Sequence, residues 1–214
     1  MKKIVIIGSG GLALETYSVL KKYYGNKIKK EIIGFVSNEK KKIVIDNKKI
    51  IGNDQFLIKN FSNINLILAI GNMKIRKKIF ENLKNKKYFW PNIYSPKLKF
   101  KNEQIQIGKG NIFFENSIVC PKVTIGDFNI INMNAVISHD CKINNFCNLN
   151  PSCVISGLVI ISDFCQIGSN SVIHQNLRVE KNTNLAMGGV LFNDTETGST
   201  YLGNPAKNIK FKKK

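Results

Sequence analysis

The chain has 214 residues, 43% hydrophobic and 22% charged. That is long enough for one large domain or two small ones and too apolar for a wholly disordered or fibrous chain. Its formal charge of +19, from 33 Lys and Arg against 14 Asp and Glu, suits an anionic ligand or nucleic acid. Nearly all of that excess lies in residues 1–100, which carry 22 basic and 6 acidic side chains. Most of it is Lys, alongside abundant Asn and Ile, which reads as a compositional bias. The aromatic residues are not interleaved with the basic runs as a nucleic-acid stacking platform requires, so no nucleic-acid partner is expected.

The opening MKKIVIIGSGGLALE has a basic start and a short apolar run. That run ends at Gly8 and reads as a buried strand rather than a signal peptide. No apolar run reaches the length of a membrane helix, and a cytoplasmic location is expected. Lys3–Ile7 is then a strand, Gly8–Gly11 a turn and Leu12–Tyr24 a helix. Glu31–Val36 and Asn65–Ile70 are two further strands. Gly71-Asn72 precede a basic helix over Met73–Lys84. Strand, glycine turn, helix and strand in this order make a parallel-sheet unit. The turn Gly8-Ser9-Gly10-Gly11 opens a helix, so its backbone N–H groups suit a phosphate. A full dinucleotide fingerprint would need glycine where Ala13 stands. Pro91 and Pro96 punctuate the exit from this segment.

From Ile107 the period changes. Every sixth residue from Ile107 to Leu185 is large and apolar, without a slip. Four places after each comes a mostly small residue, including Asn111, Ser117, Ala135, Cys141, Cys147, Cys153, Cys165, Ser171 and Thr183. A large and a small side chain per hexad can fill a narrow prism, the pattern of a parallel β-helix. With three hexads per turn, residues 18 apart stack, about 4.8 Å from rung to rung. Four of the five cysteines share the small inward slot, where a thiol acts as a small hydrophobe. Their spacing matches no zinc pattern, and Cys120 lies outside the slot.

Two histidines are present. His139 stands two places after inward-facing Ile137, near a corner, and is followed by Asp140. An exposed imidazole beside a carboxylate can act as a general base. Gly157, 18 residues on, should stack beside His139 and offer its N–H as an oxyanion donor. His174 directly follows inward Ile173 and reads as outward and structural. A three-histidine zinc site of the carbonic-anhydrase kind cannot be assembled from two, and no metal is expected.

These motifs resemble a bacterial family of sugar acetyltransferases. It includes the nucleotide-linked amino-sugar N-acetyltransferases of bacillosamine and perosamine synthesis and the sialic acid O-acetyltransferases. The resemblance runs through IVIIGSGGLALE, LILAIGNMKIRKKI, SHDCKINNFCNLNPSCVISG and YLGNPAKNIK. Its most specific part is His139-Asp140-Cys141, with Pro151 and Gly157 following. It implies a Rossmann-like α/β domain over 1–92 that binds a nucleotide-linked amino sugar, through Gly10, Gly11, Leu12, Asn38, Gly71 and Asn72. It implies a left-handed β-helix over 93–214, a homotrimer, and acetyl-CoA in the groove between neighbouring helices. His139, Asp140 and Gly157 are then catalytic, and Asn148, Gly157, Ser169 and Met187 hold the cofactor. Leu12 stands where the family usually has His. Ser37 and Asn38 stand where it often has acidic residues, and Asn148 stands where a second His is usual. The implied reaction is direct N-acetylation in surface-glycan synthesis, with inward-facing Cys141 excluded as a covalent carrier. Sugar O-acetylation and a non-catalytic β-helix scaffold are the alternatives.

Overall fold

The computed structural model describes residues 2–38, 44–100 and 104–209, so Lys210 of the last motif lies outside them. The chain divides into two compact units, Met1–Pro96 and Lys97–Lys214. No helix among the described residues is long and apolar enough to cross a membrane.

The first unit is built around β1 (Ile4–Ile7), whose four residues are all buried. A strand buried on both faces needs a continuous apolar run, which is why this one does not alternate. Helix α1 (Gly11–Tyr24) follows, burying Ala13, Thr16, Tyr17 and Leu20 on one stripe. Gly25, at φ +64°, ends it. A short turn of helix, α2 (Ile28–Glu31), leads into β2 (Ile32–Val36). A hairpin of β3 (Val44–Ile45) and β4 (Lys48–Gly52) comes next, then α3 (Asp54–Asn60), β5 (Asn65–Leu68) and α4 (Met73–Leu83). The sheet order is β3-β4-β2-β1-β5, parallel except for the β3–β4 pair.

The hairpin and α3 are additions to the elements expected from the pattern. Asp46 and Asn47 form the two-residue hairpin turn, both at positive φ (47° and 63°), where Asp and Asn are tolerated better than other side chains. Asp46 is further tied to α1 by Lys21 Nζ (2.8 Å) and the Tyr17 hydroxyl (3.2 Å). Its carboxyl is held below the usual carboxylate range, chiefly by the Lys21 hydrogen bond.

The second unit is a three-sided parallel β-helix of two-residue strands. One side stacks 99–100, 118–119, 136–137, 154–155, 172–173 and 190–191. The second stacks 106–107, 124–125, 142–143, 160–161 and 178–179. The third runs 112–113, 130–131, 148–149, 166–167 and 184–185, and is closed by Thr200–Leu202 and antiparallel Lys207–Ile209. The large hexad positions point inward: from Phe113 through Leu185 each is buried, and Leu191 adds one more rung. Phe100 lies seven residues before Ile107 rather than six, which is where the regular spacing begins. The winding is that of a left-handed parallel β-helix.

The corners have their own rule. Every sixth residue from Asn116 to Asn182 has φ between 55° and 63°. Five of these are Asn and one is Asp140, the residue types that enter the left-handed region most readily. The small inward slot sits next to each corner. Cys141, Cys147, Cys153 and Cys165 are buried free thiols there. Burial pushes the Cys141 thiol up to about 11 and the Cys153 thiol up to about 12, and Cys141 Sγ donates to the Ser156 carbonyl at 3.0 Å. Asn111 and Asn129, also fully buried in this slot, each accept a backbone N–H from the next rung at 2.7 Å.

Candidate active site

His139 and Asp140 occupy the corner that follows the 136–137 strand. The corner's hydrogen bonds fix the backbone on both sides. Asp140 N donates to the Pro121 carbonyl one rung before (3.2 Å), and the His139 carbonyl accepts from Leu158 N one rung after (3.0 Å). Asp140, at φ 59°, turns its carboxylate back on the preceding residue, and Oδ2 lies 2.8 Å from His139 Nδ1. A carboxylate only accepts, so Nδ1 donates to it, and in the neutral ring the lone pair is left on Nε2. The imidazole is 62% exposed and the carboxylate 37%, so the pair orients the ring without stabilising the fold much.

Gly157 is buried beneath that ring. A Cβ there would come within 2.7 Å of His139 Cε1 and 2.8 Å of Nε2. Its φ is not in the left-handed region, so space for the ring, not backbone strain, requires glycine. Its carbonyl accepts from Asn176 N, and its own N–H has no acceptor among the described residues. A proton acceptor and an unpaired backbone donor thus stand on adjacent rungs of one corner. This is the pairing that acyl transfer needs.

The other residues singled out in this unit lie elsewhere on the prism. Asn148 is on the third side, buried, with Nδ2 donating to Gln166 Oε1 at 3.0 Å. Ser169 and Met187 stack at the corner that follows that side. The Ser169 carbonyl accepts from Gly188 N at 2.8 Å, and the Met187 side chain is 77% exposed. A single chain therefore does not gather Asn148, Ser169 and Met187 around His139. His174 shares the His139 corner two rungs beyond Ser138, is exposed, and lies 5.8 Å from the Phe192 ring.

In the first unit a cleft of about 500 Å³ opens at the carboxyl ends of β1, β2 and β5. This is where open parallel sheets bind ligands. Gly10, Gly11, Leu12, Asn38 and Gly71 all line it. Gly8, at φ +137°, packs so tightly that a Cβ would overlap the Ala69 carbonyl oxygen, whereas Gly10 and Gly11 face open space. The first turn of α1 therefore presents bare backbone to the cleft. Asn72 is not among the lining residues. Its Oδ1 accepts from Ile75 N at 3.0 Å and caps α4. The cleft adds Asp54, which the sequence pattern does not single out and which holds Asn38 through Asn38 Nδ2–Oδ2 at 3.0 Å; Ser37 Oγ donates to Ser9 Oγ at 2.8 Å.

Comparison with known proteins follows the same division. Residues 3–83 match the family model described as the PglD N-terminal domain. No curated protein matches the chain in sequence. Among solved structures, the acetyltransferase domain of PglB from Neisseria gonorrhoeae superposes with TM-score 0.88 at 23% identity, covering 98% of this chain and all of that one. PerB from Caulobacter crescentus, solved in complex with CoA and GDP-perosamine, gives 0.87 at 22% identity over 98% of each chain. WeeI from Acinetobacter baumannii gives 0.88 at 21% identity, covering 98% of this chain and 100% of its own. Residues 3–83 thus match the PglD N-terminal domain model, and over nearly its whole length the chain shares one fold with these three proteins.

Proposed function

We propose that this protein is an acetyl-CoA-dependent N-acetyltransferase acting on the amino group of a nucleotide-linked amino sugar. The observation that carries the reading is the His139–Asp140 pair, 2.8 Å apart and stacked on Gly157. The fold shared with PerB, which was solved with CoA and GDP-perosamine, supports the substrate class. The α/β unit, with its open Gly10–Gly11 turn, recognises the nucleotide, and the β-helix unit performs the transfer.

Acetyl-CoA supplies the acetyl thioester. His139 Nε2 accepts a proton from the attacking sugar amine as the N–C bond forms, and Asp140 supports the imidazolium. The Gly157 N–H holds the oxyanion of the tetrahedral adduct. The C–S bond then breaks, and His139 returns its proton to the departing thiolate. Cys141 takes no covalent part: its thiol is buried, pushed up to about 11, and bound to the Ser156 carbonyl. Asn148, Ser169 and Met187 would contact the cofactor across a groove between two copies, because one copy does not bring them to His139. This reading entails a homotrimer with cyclic symmetry, working in the cytoplasm.

The deciding experiment supplies acetyl-CoA with a panel of nucleotide-linked amino sugars and follows thiol release. Turnover is expected with an amino sugar and not with its hydroxyl counterpart. Turnover of the hydroxyl sugar alone would make the enzyme an O-acetyltransferase. Absence of both turnover and acetyl-CoA binding by calorimetry would leave a scaffold.

A further inference from the structure

We infer that Asp54 is the ribose-binding carboxylate of the cleft, a specificity residue supplied from the wrong strand end. This rests on the nucleotide reading above. Nucleotide-binding α/β domains place an acidic side chain just after the second strand, where it accepts hydrogen bonds from ribose hydroxyls. Here the described residues at that position are Ser37 and Asn38, and neither carries a charge.

Among the described residues the charge arrives from the end of β4. β2 and β4 are neighbours in the sheet, with Val36 paired to Gly52, and Ser37 N donates to the Gly52 carbonyl at 3.0 Å. The two strand ends therefore emerge side by side. Asn53 caps α3, accepting from Phe56 N at 3.0 Å, and sets Asp54 at its first turn. Asp54 reaches the end of β2: Asn38 Nδ2 donates to Oδ2 at 3.0 Å, and Asp54 N approaches Asn38 Oδ1 at 3.5 Å. Both side chains line the same cleft as Gly10 and Gly11.

The pair uses little of the carboxylate. An ionised carboxylate has about four acceptor sites. Asp54 Oδ1 is shielded from solvent and has no hydrogen-bond partner among the described residues. An acceptor shielded from water without a partner is unfavourable, and a turn of the carboxylate toward the cleft that Asp54 lines lets a ligand hydroxyl satisfy it. Strand order supplies the donor: with the diphosphate at the Gly10–Gly11 turn after β1, the next strand end outward, that of β2, receives the ribose. Its vicinal hydroxyls are donors of the right kind, and Asn38 serves as the positioning residue that holds the carboxylate toward them.

The test uses the full chain and calorimetry with uridine and guanosine diphosphate, each beside its 2′,3′-dideoxy counterpart. The better-bound ribonucleotide is expected to bind about 10- to 100-fold tighter than its dideoxy form, the worth of one hydrogen bond to a charge. Asp54→Asn should lower the ribonucleotide to the dideoxy level. It should leave dideoxy affinity unchanged, which also reports an intact cleft. Equal loss for both forms, or a wild type that does not distinguish them, overturns the role of Asp54 while the nucleotide reading stands. If no nucleoside diphosphate binds, the proposal and the nucleotide reading fall together.

Discussion

The imidazole of His139 rests on Gly157, and a methyl group on that glycine would come within 2.8 Å of Nε2. The ring is held from one side by Asp140 and from the other by the absence of a side chain. Gly157→Ala must therefore move the imidazole. Displacement of a catalytic group by about 1 Å can cost about 100-fold. Turnover should fall by that order with little change in melting temperature, because the ring is exposed and no core contact is lost. An alanine variant with full turnover would show that the stacked geometry is not the working one.

Removal of the proposed base should be costlier. General-base catalysis contributes about 100- to 10,000-fold, so His139→Ala should lose that much turnover while acetyl-CoA still binds by calorimetry. Asp140→Asn keeps an acceptor for Nδ1 but not the charge that supports the imidazolium, and should lose less. His174→Ala should leave turnover close to wild type. Loss with His174→Ala and none with His139→Ala would transfer the base to the other histidine.

The glycine turn separates stability from binding. Gly8 has φ +137° and no room for a Cβ against Ala69, so Gly8→Ala should destabilise the first unit by roughly 1–3 kcal/mol. Gly10 and Gly11 meet nothing within 4 Å. Gly10→Ala and Gly11→Ala should keep the melting temperature and weaken nucleoside diphosphate binding, since the added methyl stands where backbone is bare. Equal stability loss in all three variants would remove the distinction.

The thiols should titrate late and react slowly. Burial raises Cys141 from 9.0 to about 11 and Cys153 to about 12, so the folded state keeps these protons after the unfolded chain has lost them. With the folded value raised, the stabilisation is fully present below pH 9 and declines as pH rises toward 11–12. Denaturant midpoints should therefore fall between pH 9 and 11, and less steeply in Cys153→Ala. At pH 8 a thiol reagent should label half-exposed Cys120 well before the buried four. Rapid labelling of several thiols in the native protein would contradict the packed slot.

Assembly is the simplest check on the proposed sharing of the site between copies. Light scattering should give about three times the 24.1 kDa chain mass. A stable monomer with full turnover would require Asn148, Ser169 and Met187 to have no part in binding acetyl-CoA.

Much of this protein is legible before any coordinates, because a repeat of six converts directly into a three-sided prism. Each large apolar residue from Phe113 to Leu185 is buried, and the stacking of His139 on Gly157 follows from their 18-residue spacing alone. β1, β2, β5, α1 and α4 are visible for the same reason: their apolar runs or stripes carry the period of the element. The β3–β4 hairpin is harder to see, since its apolar pairs are short and set among lysines, although Asp46-Asn47 is a turn signal. What only the tertiary structure decides is the company each polar group keeps. Nothing local links Asn38 to Asp54, and their contact exists because β2 and β4 lie side by side. Nothing local separates His139 from Asn148, nine residues apart, yet successive sides of the prism carry them to different faces. Periodicity reports which side chains are buried; sheet order and corner geometry determine which of the remaining ones meet.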